Sequence, residues 1–125
     1  MRIIISNQAK EPIYEQIVTQ IRQHILNGEL AEGEALPSIR LLAKELQVSV
    51  ITTKRAYEEL EKEGYTDSVV GKGSFVSSQN KDLLKEKQRK IIEVKLTEAI
   101  EIGKTTGIPL DELVEMLQLL YEEDE

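Results

Sequence analysis

Arg40, Lys44, Lys54 and Arg55 lie in the stretch Leu36 to Ala56, where the only carboxylate is Glu45, so the local net charge is +3. A further cation, Lys72, stands between Gly71 and Gly73, with no side chain on either neighbour. Clustered cations of this kind suit an anionic partner, and the polyanion they fit best is a phosphate backbone. Taken one at a time they read as solvated surface: Arg55 could pair with Glu58 or Glu59 along a helix, and Gly71-Lys72-Gly73 alone is a tight hairpin turn.

Other chemistries are poorly served. The chain has no cysteine, which removes disulfides, thiolate metal sites and thiol nucleophiles. His24 is the single histidine and has no neighbouring carboxylate cluster, so it reads as a surface or boundary residue. Glu61 and Glu63 fall on different faces of a helix in an acidic stretch, without the apolar surroundings that acid/base pairs need. Gly73-Ser74 looks like part of a phosphate loop, but the GxxxxGK[ST] spacing fails. No catalytic residue, metal ligand or cofactor is expected, and the chain is not expected to be an enzyme.

Such cations must be positioned by local elements. From Pro12, apolar residues at Ile13, Tyr14, Ile17, Val18, Ile21 and Ile25 follow one helix face, and Asn27-Gly28 ends it. Ser38 is a candidate N-cap for a short helix ending near Leu46. After Gln47 and Val48, Ser49 caps a third helix that runs to Gly64, with Thr53, Ala56, Tyr57 and Leu60 on one side. Helices joined by so short a turn must cross steeply. Tyr65 to Val70 and Ser74 to Ser77 then read as strands of a hairpin. A polar stretch, Ser77 to Lys81, leads to a charged helix from about Asp82 to Ile102, closed by Gly103 to Gly107. Pro109 opens a last helix, and Glu122 to Glu125 read as a frayed, solvated end. Ile13, Ile17, Tyr57, Leu60 and Phe75 are expected in the core.

The 125 residues hold 16 Lys and Arg against 23 Asp and Glu, a net charge of -7, which on its face argues against nucleic acid. The acidity is uneven. Residues 1–80 carry 9 basic and 11 acidic side chains, whereas residues 81–125 carry 7 and 12. The apolar start, Met1 to Ile5, is too short for a signal peptide, and no long apolar run follows, so a soluble cytoplasmic protein is expected.

Helix, turn, helix and hairpin in this order give a mostly helical α+β winged helix-turn-helix. Several ordered segments also resemble the GntR family of bacterial transcription regulators. They are Pro12-Ile13-Tyr14, Leu26-Asn27-Gly28-Glu29-Leu30, Leu36-Pro37-Ser38-Ile39-Arg40, Lys54-Arg55-Ala56-Tyr57-Glu58-Glu59-Leu60, Gly64-Tyr65 and Gly71-Lys72-Gly73-Ser74-Phe75-Val76. The short two-helix ending is similar to the YtrA-type subfamily. The resemblance implies that Arg40, Ser49, Val50, Thr52, Lys54, Arg55, Gly71 and Lys72 face DNA, the third helix in the major groove and the wing in the flanking minor groove. The residue types fit: Arg40 can fork onto phosphate or guanine, Ser49 and Thr52 can donate, and Lys72 can enter a narrow groove. Three positions depart from the family pattern. Leu41 leaves a capping box incomplete. Gln47 replaces a usual glycine, so it is either strained or avoids the left-handed conformation. Val50 can meet a thymine methyl but cannot read guanine.

The organisation expected is a DNA-binding domain at 1–78 and a two-helix segment at 79–125. Two amphipathic helices cannot bury both apolar stripes on each other, so Leu84, Ile91, Ile92, Leu96, Ile100, Leu113 and Leu117 are expected to form a homodimer face. A two-fold dimer would place two reading helices about 34 Å apart, or a multiple of this, on a near-palindromic operator. The resemblance implies a repressor of a transporter-type operon, with any small-molecule effector unspecified. A winged helix that binds protein instead of DNA is the competing reading.

Overall fold

The computed structural model describes residues 1–78 and 81–123. In chain order the elements among them are α1 (Ile13–Leu26), α2 (Ile39–Leu46), α3 (Val50–Lys62), β1 (Thr66–Val69), β2 (Gly73–Val76), α4 (Lys81–Thr106) and α5 (Leu110–Glu123). They form two compact units, Met1–Lys85 and Glu86–Glu125. Gln79 and Asn80 of the expected polar stretch, and Asp124 and Glu125 of the acidic end, lie outside the described residues.

In the first unit the helix starts follow local chemistry. Ser38 Oγ accepts the Leu41 N–H at 3.1 Å, and Ser49 Oγ accepts the Thr52 N–H at 3.1 Å, each satisfying one orphan donor of a first turn. Periodicity then buries one face of each helix: Ile17, Val18, Ile21 and Ile25 of α1 meet Thr53, Ala56, Tyr57 and Leu60 of α3, with Leu42 of α2, Tyr65 and Val76 completing the core. Leu84, in the first turn of α4, closes this core at 2% exposure. Two expected core residues sit differently. Ile13, at the first position of α1, is 36% exposed and lines an open hollow with Ile51, Thr52 and Arg55 of α3, and Phe75 is only partly buried.

β1 and β2 pair antiparallel, with Thr66 opposite Val76 and Val69 opposite Gly73. A two-stranded hairpin is marginal by itself. Here the segment before α2 supports it: Gly33 N–H donates to Val76 O (2.9 Å), Val76 N–H to Glu34 O (2.8 Å) and Leu36 N–H to Ser74 O (2.9 Å). The wing is thus stitched to the chain that leads into α2.

The N-terminal residues dock along α1. Gln16 accepts the Ser6 N–H at 2.8 Å and donates to Ser6 O at 3.0 Å, and Gln20 does the same at Ile4, at 2.8 and 2.7 Å. His24 Nε2 lies 2.9 Å from Arg2 O. Ile3 and Ile5, between these anchors, pack against the core.

In the second unit α4 runs to Thr106, a turn past the expected end at Ile102. Gly103 is buried inside the helix instead of closing it: a Cβ there would stand 3.0 Å from Leu113 Cδ1, so its bareness lets α5 approach. The helix ends at Gly107 (φ 77°), with Ile108 N–H donating back to Gly103 O at 2.9 Å. Ile91, Ile92, Leu96, Ile100 and Leu117 are exposed, and Leu113 is partly buried. No helix of the described residues is long and apolar enough to cross a membrane.

Candidate nucleic-acid interface

Gln47 joins α2 to α3 in the left-handed conformation (φ 58°, ψ 41°), the strained alternative left open by the sequence. It is the sole non-glycine with positive φ among the described residues. Such a residue costs about 1–2 kcal/mol. In return the Gln47 N–H reaches Ala43 O and Lys44 O, and Val48 N–H reaches Ala43 O at 3.0 Å, closing α2 so that α3 can start at once.

At the start of α3, Ser49 Oγ also donates to Thr52 Oγ1 at 2.8 Å. The Thr52 hydroxyl keeps its own proton to give, since a hydroxyl is one donor and two acceptors. Thr53 Oγ1 returns to Ser49 O at 3.1 Å on the buried side. The Val50 and Ile51 N–H groups have no partner among the described residues, which leaves the positive end of the helix dipole open to an anion. Val50 is 47% exposed and Ile51 80% exposed.

Arg40 is exposed in the first turn of α2, beside an open hollow of about 230 Å³ lined by Pro37, Ser38, Ile39, Tyr57, Gly73 and Ser74. The structure therefore brings Arg40 to the base of the wing. Tyr57 fixes this arrangement: its hydroxyl donates to Pro37 O at 2.8 Å, and burial, with the Glu45 carboxylate next in weight, pushes its ionisation far above the ordinary phenol value. Lys72 and Gly71 are exposed at the wing tip, where Lys72 N–H donates to Val69 O at 2.9 Å. Val70 at the same tip is fully exposed.

Not every expected contact stands free. Lys54 is exposed, but the Arg55 guanidinium lies 3.8 Å from the centre of the Tyr14 ring, held against α1 and not against Glu58 or Glu59. A stacked arginine of this kind is partly committed. Leu84, expected on a dimer face, is occupied in the core of its own unit. Glu63 pairs with Arg22 at 2.8 Å, and Glu61 accepts from Ser68 Oγ at 3.0 Å, so both acids have structural partners. His24 Nδ1 stands 2.6 Å from Glu29 Oε2, near enough for an ion pair though off line for a hydrogen bond. No group of three His, Cys, Asp or Glu among the described residues could hold a metal. Ile51 and Val70, not among the expected contacts, are also exposed. The signal for Ile51 was present: an apolar residue off the buried face of α3.

Residues 13–76 match the family described as bacterial regulatory proteins, gntR family. The chain is 34% identical over 116 residues to the HTH-type transcriptional repressor YtrA of Bacillus subtilis (strain 168), covering 93% of this chain and 89% of that one. A transcriptional antiterminator from Listeria monocytogenes EGD-e superposes with a TM-score of 0.74 at 32% identity, over 97% of this chain and 90% of that chain. The AraR DNA-binding domain, solved in complex with operator ORE1, superposes with a TM-score of 0.53 at 26% identity, over 62% and 94%.

Proposed function

This chain belongs to the GntR family of bacterial regulatory proteins, DNA-binding transcription regulators and not enzymes, and from that premise we propose that it is a cytoplasmic repressor that binds a near-palindromic operator as a homodimer. In this reading α3 enters the major groove by its N-terminal turn, Arg40 and Lys54 neutralise phosphates, and Lys72 reaches the adjacent minor groove. The observation that carries the reading is the grouping of Arg40, the wing and the open N-terminus of α3 within one unit. The operator complex of the related AraR domain supports it.

The homodimer is supported by apolar exposure. Ile91, Ile92, Leu96, Ile100 and Leu117 are all exposed on one small helix pair, and several exposed large apolar side chains on so short a segment suit a protein partner. A transporter-type operon is the target class we infer from the resemblance, and repression would follow from occupying promoter DNA.

Selection of duplexes from a random pool, followed by gel shift at about 50 mM salt, tests the reading. Enrichment of an inverted repeat is expected, and Arg40→Ala should weaken binding about equally across sequences and lower the salt slope by about 1 per half-site, without unfolding the chain. A protein that enriches no sequence and retards no duplex overturns the proposal.

A further inference from the structure

We infer that Ile51, together with Val50, is a specificity determinant that reads thymine 5-methyl groups; the inference rests on the reading of α3 as the helix that enters the major groove. At the open end of that helix two of the polar side chains are engaged within the protein. Ser49 caps the Thr52 N–H and donates to its hydroxyl, and Arg55 lies on Tyr14. What stands out from the first turn is apolar: Ile51 at 80% exposure and Val50 at 47%.

An exposed isoleucine on a helix start flanked by cations has one well-matched occupant on DNA. In the major groove, thymine alone among the four bases presents a methyl. Against a guanine or cytosine edge, Ile51 would strip water from donors and acceptors and return no hydrogen bond. Against a thymine methyl it buries hydrocarbon on hydrocarbon. Both residues are β-branched, so each holds essentially one χ1 rotamer within the helix and loses little freedom on docking. The nearby Lys54 can supply charge to the phosphates, and the apolar pair adds a preference that only a thymine methyl satisfies.

Deoxyuridine differs from thymidine only by the methyl, and gives the test. A thymine is expected in each half-site of the duplex selected by the full-length protein. Replacing it by deoxyuridine should weaken binding of the unchanged protein about fourfold, the value of one buried methyl-sized group. Ile51→Ala, a substitution at an exposed helix position that favours the helix, should bind thymine and deoxyuridine duplexes alike. A selected site lacking thymine, unchanged affinity for the deoxyuridine duplex, or an Ile51→Ala protein that still discriminates between the two would each overturn the inference while leaving sequence-specific binding intact. Selection that enriches nothing would overturn the regulator reading itself, and this inference with it.

Discussion

The Tyr57 hydroxyl holds α3 to the residue that precedes the Ser38 cap, so one hydrogen bond of 2.8 Å couples the position of Arg40 to that of the third helix. Removing it leaves Pro37 O without its donor in a partly buried place, and Tyr57→Phe should cost about 1 kcal/mol in urea unfolding at pH 7. The same group predicts an alkaline limit. Its folded ionisation lies above the ordinary 10.0, because burial first and Glu45 second disfavour the phenolate. A raised folded value means the contribution is complete below about pH 10 and is lost as pH climbs towards the folded value. Between about pH 10 and 11.5 the parent should therefore lose stability with a steeper slope than Tyr57→Phe, and parallel slopes would show that Tyr57 is not the group responsible.

At the scale of elements, the docked N-terminus depends on a match of periods. Gln16, Gln20 and His24 recur every four residues, about 6 Å along a helix, while Ser6, Ile4 and Arg2 recur every two residues of extended chain, close to the same distance. Side-chain amides thus stand in for a neighbouring strand. Gln16→Ala removes the bonds to Ser6 and a third, from Nε2 to Glu11 O at 3.1 Å; it should cost about 2 kcal/mol and abolish slow hydrogen exchange at the Ser6 and Ile4 amides. Retained protection at Ser6 would mean that Gln20, His24 and the apolar Ile3 and Ile5 hold the segment without Gln16. None of this was legible in the sequence, where polar residues four apart read as a solvated face. The starts of α2 and α3 were legible, since Ser38 and Ser49 act within their own first turns. The end of α4 was not: whether Gly103 stops a helix or admits Leu113 depends on a partner ten residues away in the chain. Leu84 was legible as apolar but not as core, because periodicity gives a face and not what covers it. Gln47 shows the same limit from the other side, its strained conformation following from the closure of α2 on a turn too short for any other path.

For the whole molecule, the net charge of -7 and the proposed DNA contacts are compatible only if few, well-placed cations act against a repelling background. That has a measurable form. With Arg40, Lys54 and Lys72 engaged, each winged unit neutralises about three phosphates, so a dimer should show log K falling with log salt at a slope of about -5, and a single unit about -3. The two cases can be separated by length. A chain of residues 1–85 keeps Leu84, whose 2% exposure makes it part of the first core, whereas a cut at Ser78 would open that core. Residues 1–85 should sediment as a monomer, lose most operator affinity, and show the shallower slope between 50 and 200 mM salt. If that shortened chain remains a dimer, or binds with the slope of the full chain, then the apolar residues of Glu86–Glu125 do not hold two reading helices together, and the acidic second unit must serve another partner.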